Sequence, residues 1–301
     1  MQKIHNLNFY GHGQWALNTL KELFHRKDCK LNLVISRFPN GDKDIELFCN
    51  VNGITYLTVE NINDYLKSNE LSSDLGISVS YDQIFSNETI LFHKKGIINC
   101  HAGDLPDYKG RNVLNWAIIN NLTQFGITVH YVDEDIDTGN IITKKFIPIK
   151  EDDDYNDLLL KAYRECPKLV IRSLDLIFKN KVTPIIQKEI KDYPIYCSRR
   201  QEGDELINWN STSLEIYNFV RALAPPGPYA QTFIRNERVF VKKAEYIKSA
   251  PKYKDFPGSI LKKDSSGLLV KTGDSYIRIQ KWDCDILLKR GDRFNFGFNY
   301  C

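Results

Sequence analysis

The residues best suited to chemistry lie between positions 99 and 139. Asn99 and His101 stand two apart at the end of an apolar run, so in a strand their side chains share one face. In an open α/β sheet, ligands gather beyond the carboxyl ends of the strands. There an amide can donate to a developing oxyanion, and an imidazole can carry protons near neutral pH. Further on, Asp133-Glu134-Asp135-Ile136-Asp137-Thr138-Gly139 follows a second β-prone run. Its alternating carboxylates lack the glycine and distal glutamate of a calcium loop, so no metal is expected. A carboxylate beside His101 would orient the ring and favour its charged form. Residue types and spacing thus point to an Asn–His–Asp site for acyl chemistry.

The elements that must position this site alternate. Residues 6–10, 31–35, 54–57, 75–80, 126–132 and 141–149 read as strands. Residues 15–24, 45–51, 61–66, 112–121 and 155–178 carry helical spacing, with Pro167 predicted as a kink in the last. Strands alternating with helices imply an α/β fold: an open, mostly parallel twisted sheet of Rossmann-like form, covered on both faces. After residue 190 short β-prone runs punctuated by Gly and Pro replace this pattern. The chain therefore divides into a catalytic domain, 1–195, and a small β-rich C-terminal domain, 196–301. Gly11-His12-Gly13 closes the first strand. The second strand ends Ile35-Ser36-Arg37 with no acidic ribose partner, so a dinucleotide fingerprint is not read there. The stretch is either a plain tight turn or one whose N–H groups meet an anion.

Composition sets the outer limits. The 301 residues carry 41 Lys plus Arg against 38 Asp plus Glu, too even a balance to announce a nucleic-acid binder. Hydrophobic residues make up 42%, enough to exclude a disordered chain. The seven cysteines, Cys301 among them, are scattered with no C-x-x-C pair, which argues for single thiols in a reducing cytoplasm rather than disulfides or zinc. No apolar leader opens the chain and no run is long enough to span a membrane.

At this point the motifs resemble a known family. Asn99-x-His101, Leu105-Pro106-x-Tyr108-x-Gly110, Gly126-Ile127-Thr128-Val129-His130 and Asp137-Thr138-Gly139 look like the folate-dependent formyltransferases. The likeness returns at residues 199–209 and 221–229. It departs after the histidine, where Ala102-Gly103-Asp104 replaces the usual Pro-Ser-Leu, and Gly203-Asp204 inverts the usual order. The resemblance implies transfer of a formyl group from 10-formyltetrahydrofolate to an amine, with no metal. By carry-over, Asn99 and His101 stabilise the oxyanion, and Asp137 orients His101 and assists proton removal. The folate pocket would be lined by Ser80, Tyr81, Asp82, Gln83, Ile84, Val132, Asp133 and Asp135.

The even charge balance favours a small acceptor over a tRNA, whose phosphates call for clustered Lys and Arg. The chain most resembles the sugar-nucleotide N-formyltransferases, which act on amino dideoxy sugars carried by a nucleoside diphosphate such as dTDP, for bacterial surface polysaccharide. On that reading His12, Gln14, Trp15, Gly103, Lys109 and Arg111 contact the acceptor, although Trp15 equally suits the core and the two cations equally suit solvent. No nucleic-acid or membrane partner is expected, and β-hairpins of the second domain offer a surface for a homodimer. Two other readings stay open: a methionyl-tRNA formyltransferase, and a non-catalytic folate- or nucleotide-binding member of the fold.

Overall fold

A computed structural model of the protein describes residues 3–69 and 71–295; Cys301 lies outside the described residues. The chain divides into two compact units. The first comprises Met1–Val113, Phe125–Ile147 and Leu160–Cys197; the second comprises Leu114–Gln124, Pro148–Leu159 and Ser198–Cys301.

 

Sequence reading divides the chain once, between 195 and 196, whereas the fold returns two earlier stretches to the second unit. Hydrogen bonds show why. Asn115 Nδ2 donates to the Ala222 carbonyl at 2.6 Å, and Arg221 Nη1 donates to that of Asp153 at 2.7 Å.

In chain order the elements are β1 (His5–Gly11), α1 (Gly13–Phe24), β2 (Cys29–Ser36), α2 (Lys43–Val51), β3 (Thr55–Thr58), α3 (Ile62–Ser68), β4 (Leu75–Val79) and α4 (Asn87–Leu91). There follow β5 (Ile97–His101), β6 (Lys109–Gly110), α5 (Val113–Ile119), β7 (Gln124–Tyr131), β8 (Ile141–Pro148), α6 (Tyr155–Phe178), α7 (Gln187–Ile190) and β9 (Tyr196–Cys197). The rest are α8 (Ser213–Ala222), β10 (Ala230–Ile234), β11 (Glu237–Glu245), β12 (Ile260–Asp264), β13 (Gly267–Lys271) and β14 (Tyr276–Asp283).

The first unit is built on a seven-stranded sheet of order β3-β2-β1-β4-β5-β7-β8. Strands β1 to β5 pair in parallel, and β7 runs antiparallel to β5. Every residue of β4 is buried, as expected of a strand covered on both faces, which explains its unbroken small and apolar sequence. Helix α1 buries Ala16, Leu17, Thr19, Leu20 and Leu23 along one stripe. Asp42, Asn61 and Ser86 cap α2, α3 and α4 through their side chains and fix where each helix starts. Strand order reverses between β1 and β4, and a crevice at the carboxyl ends is the expected ligand position.

The second unit carries an antiparallel sheet of order β10-β11-β14-β13-β12 and helix α8, which opens with a Thr212–Glu215 capping box. Its core gathers Ile216, Val220, Val239, Ile277 and Trp209, the last stacked on Phe294 with ring centroids 5.4 Å apart.

Candidate active site

Register builds the site. In the antiparallel pair of β5 and β7, Asn99 lies opposite His130 and His101 opposite Thr128, so all four side chains leave one face of the sheet. Beyond β7 the chain turns through Asp137, which adopts a left-handed φ of 56°. This turn returns the Asp137 carboxylate to the Asn99–His101 face. Its Oδ2 accepts from the Gly110 N–H at 2.9 Å and lies 3.4 Å from His101 Nδ1. Its Oδ1 lies 3.5 Å from His130 Nε2 and accepts from Asn99 Nδ2 at 3.4 Å. Asn99 Nδ2 also meets His130 Nε2 at 3.2 Å. Asp137 is therefore the hub on which the predicted trio converges.

Burial raises the Asp137 pKa, but nearby His101, the His130 contact and the Gly110 N–H outweigh it. They hold the carboxyl well below the usual carboxylate range. An ionised acceptor thus faces one nitrogen of His101. The other, Nε2, faces the Tyr108 carbonyl at 2.7 Å, so acceptors stand at both ring nitrogens and an imidazolium could donate to both. His101 is 9% exposed and His130 2%, while Asn99 is only half-buried.

Gly103, expected to touch an acceptor, is buried against this machinery. A Cβ there would collide with the Tyr108 carbonyl and the His101 ring. Its carbonyl accepts from Thr128 Oγ1 at 2.7 Å. Lys109 does not lie in solvent. It is 4% exposed, with Nζ 5.4 Å from the centre of the Tyr196 ring. Burial pulls its pKa down, while Asp137, Asp133 and Asp135 pull the other way. Arg111 is exposed, and its N–H donates to the Cys197 carbonyl at 3.0 Å.

The first turn holds an anion of the protein's own. Asp42 Oδ2 accepts from the Gly13 N–H at 2.7 Å, and its Oδ1 from Asp44 and Ile45 N–H at 3.1 Å each. One carboxylate thereby serves the starts of both α1 and α2. His12 Nδ1 lies 3.3 Å from Ser36 Oγ and 3.7 Å from Asp42. Gln14 is exposed and donates to Asn18, and Trp15 packs edge-on against Tyr163 with centroids 5.8 Å apart.

The loop after β4 is shaped by Arg37, which sequence reading noted only for the missing acid at its place. Arg37 Nη2 donates to the Ser80 carbonyl at 2.6 Å, and Ser80 itself has a φ of 56°. Arg37 Nε is buried without a hydrogen-bond partner, and Asp82 lies 3.8 Å away. Burial lowers the Arg37 pKa; Asp82 opposes the shift and Arg111 adds to it. The Tyr81 ring lies against Tyr10 and Phe85, and its hydroxyl is buried and unpartnered. Gln83 is taken up structurally, accepting from the Ile62 N–H and donating to the Val59 carbonyl. Ile84 is exposed. Across the site, the Val132 N–H donates to the Ile97 carbonyl, Asp133 accepts from Thr138 Oγ1 at 2.6 Å, and Asp135 is exposed. Among the described residues no three His, Cys, Asp or Glu side chains gather to hold a metal, and no helix is long and apolar enough to cross a membrane.

His130 and the Gly110 N–H are the two Asp137 contacts that residue spacing does not assign. His130 had a signal, standing two residues beyond Thr128 in a β-prone run. The Gly110 N–H had none, because nothing in the sequence says where that backbone lies.

Comparison with known proteins bears on this geometry. Residues 58–174 match the formyl transferase family, and residues 200–285 match the formyl transferase C-terminal domain. A methionyl-tRNA formyltransferase of Thermodesulfovibrio yellowstonii is 31% identical over 283 residues, which cover 90% of this chain and 88% of that protein. The bifunctional polymyxin resistance protein ArnA of Wigglesworthia glossinidia brevipalpis is 31% identical over 244 residues, covering 80% of this chain and 35% of the relative. Among solved structures, the sugar 3N-formyl transferase WlaRD, determined with dTDP and 5-N-formyl-THF, superposes with a TM-score of 0.69 at 22% identity, covering 96% of this chain and 100% of its own. The N-formyltransferase of Helicobacter canadensis, in complex with folinic acid and dTDP-3-aminofucose, gives 0.69 at 24% identity, covering 91% and 98%.

Proposed function

We propose that this chain, which belongs to the formyl transferase family, moves the formyl group of 10-formyltetrahydrofolate to the amino group of a nucleoside-diphosphate-linked amino dideoxy sugar. A dTDP sugar with its amine at position 3 or 4 is the favoured acceptor, and its formylated product would enter surface polysaccharide. The observation that carries the reading is the convergence of Asn99, His101, His130 and the Gly110 N–H on one ionised carboxylate at the strand ends.

The residues fit the folate donor. The loop Ser80–Ile84 sets the Tyr81 ring beside Tyr10 and Phe85 and leaves two buried polar atoms, Tyr81 Oη and Arg37 Nε, without partners. A flat heteroaromatic group with donors and acceptors at its edge would satisfy both. Bound there, the folate would supply an electrophilic formyl carbonyl on its N10 nitrogen.

The chain's own groups then divide the work. The half-buried amide of Asn99 donates to the formyl oxygen as it gains negative charge when the amine attacks. Asp137 stays ionised and holds His101 through Nδ1, with its orientation fixed by Gly110 and its turn. His101, assisted by the ionised Asp137, takes up the proton that the amine must lose and returns one to the departing nitrogen. The net change is one C–N bond formed, one broken and one proton moved.

Charge supports the sugar acceptor. The residues outside 198–301 carry 23 Lys plus Arg against 26 Asp plus Glu, so the stretches that supply the trio present no basic field to a polyanion. A second reading, methionyl-tRNA formylation, is favoured by the tRNA-enzyme relatives and by residues 198–301, which carry 18 Lys plus Arg against 12 Asp plus Glu.

The deciding experiment offers dTDP-amino sugars and methionyl-tRNA to the enzyme with 10-formyltetrahydrofolate, reading product mass at ~50 and ~200 mM salt, a range over which salt steeply weakens binding made through many phosphate contacts. Formylated sugar nucleotide with a shallow salt dependence is expected. Efficient tRNA formylation that collapses with salt overturns the sugar assignment. Folate binding with no turnover of any amine overturns catalysis itself.

A further inference from the structure

The turn that carries Asp137 is held from outside the two strands by a residue from much later in the chain. Gln187, at the start of α7, is 2% exposed. Its Nε2 donates to the Asp137 carbonyl at 3.0 Å and to the Gly139 carbonyl at 2.7 Å. Both partners are acceptors, so only the NH₂ end of the amide can face them, and the carboxamide orientation is fixed by chemistry. Its Oε1 is buried with no partner. A buried unpartnered acceptor is costly, so the two donated bonds must outweigh it in this fold.

The turn needs such a clamp. Asp137 has a positive φ, a conformation uncommon for a residue with a Cβ although aspartate tolerates it better than most. The neighbouring Gly139 packs so closely on the Tyr131 carbonyl that a Cβ there would collide with it. Ile185, two residues before Gln187, exchanges both backbone hydrogen bonds with Ile141 at 2.9 Å each, which fixes the base from which Gln187 reaches. The amide thus spans both ends of the Asp137–Gly139 turn and sets the depth at which the carboxylate meets His101 and Gly110.

From this geometry we propose that Gln187 is a positioning residue for Asp137, acting on catalysis only through that carboxylate. The inference rests on the formyl-transfer reading above. It goes beyond it by assigning a role to a residue outside every motif segment and 50 positions from Asp137.

The test uses the full chain with Gln187→Met, which keeps length but donates nothing, and Gln187→Glu, which replaces the donor with an acceptor at similar volume. Each is made alone and in an Asp137→Asn background, and kcat and KM are measured for both substrates. The expected result is a kcat lowered by ~10–100-fold in each single variant, a KM within ~3-fold of wild type, and no further loss of kcat in the Asp137→Asn background. A kcat within ~2-fold of wild type overturns the proposal, as does an equally large further loss when Asp137 is already Asn. Loss of the fold in both variants would make Gln187 a scaffold residue and overturn it too. Absence of formyl transfer by the wild type would instead defeat the underlying reading, so the two failures are distinct.

Discussion

Exchanging Asp137 for Asn keeps the side chain's shape and removes one negative charge from the centre of the site. The carboxylate has donors on both sides: Gly110 N–H and His101 meet Oδ2, while Asn99 and His130 meet Oδ1. An amide can offer its oxygen to only one side. Turned toward Gly110, its NH₂ opposes the Asn99 amide; turned the other way, it opposes the Gly110 N–H. A hydrogen bond to a charged group contributes about 1.5–3 kcal/mol, and a buried donor left unpaired costs a similar amount, so about 3 kcal/mol of the orientation of His101 is at stake. That corresponds to a loss of ~10²-fold or more in kcat, the usual size for an acid–base group. The assay is the initial rate of formyl transfer at saturating donor and amine, with melting temperature followed in parallel. His101→Ala should lose a similar factor. If either variant turned over within ~3-fold of wild type with its fold intact, the trio would not be the catalytic machinery.

Three further outcomes are expected. Burial lowers the His93 pKa to about 4 against the raising effect of the Thr89 and Ile90 carbonyls, from an ordinary 6.5; because the unfolded chain takes up this proton first, stability is full above pH 6.5 and lost as pH falls toward 4, by up to ~3 kcal/mol. Melting curves across that window should flatten in His93→Gln, and an unchanged slope would show that another group governs acid sensitivity. Gly103→Ala should lower kcat at least ~10-fold, since its methyl group must displace the Tyr108 carbonyl or the His101 ring, and steady-state kinetics showing no change would mean the loop relaxes freely. Arg37→Gln should raise the folate KM several-fold with kcat nearly intact, because it frees the Ser80 carbonyl; titration of donor binding checks this.

Much of the molecule was legible in the residue pattern. The alternation of strands and helices, the α6 helix over Tyr155–Phe178 and the β-rich tail follow from apolar periodicity, which is a local property of the chain. So does the shared face of Asn99 and His101, since strand side chains alternate with period two. Membership of the formyl transferase family was also readable, because several ordered motifs each mark one necessary position. Other features depended on which segments meet, and no local pattern encodes that. Antiparallel register put His130 opposite Asn99, and a left-handed turn returned Asp137 to the same face. Lys109, which the sequence left between acceptor contact and solvent, is buried where its two-residue strand pairs with Tyr196–Cys197. The start of α1, open to an anion in the sequence, is capped by Asp42 from the next helix. Gln187 lies 50 residues from Asp137, and its sequence neighbours give no hint of catalysis. Each of these is a long-range contact fixed by the packing of the whole unit, so tertiary structure alone decided them.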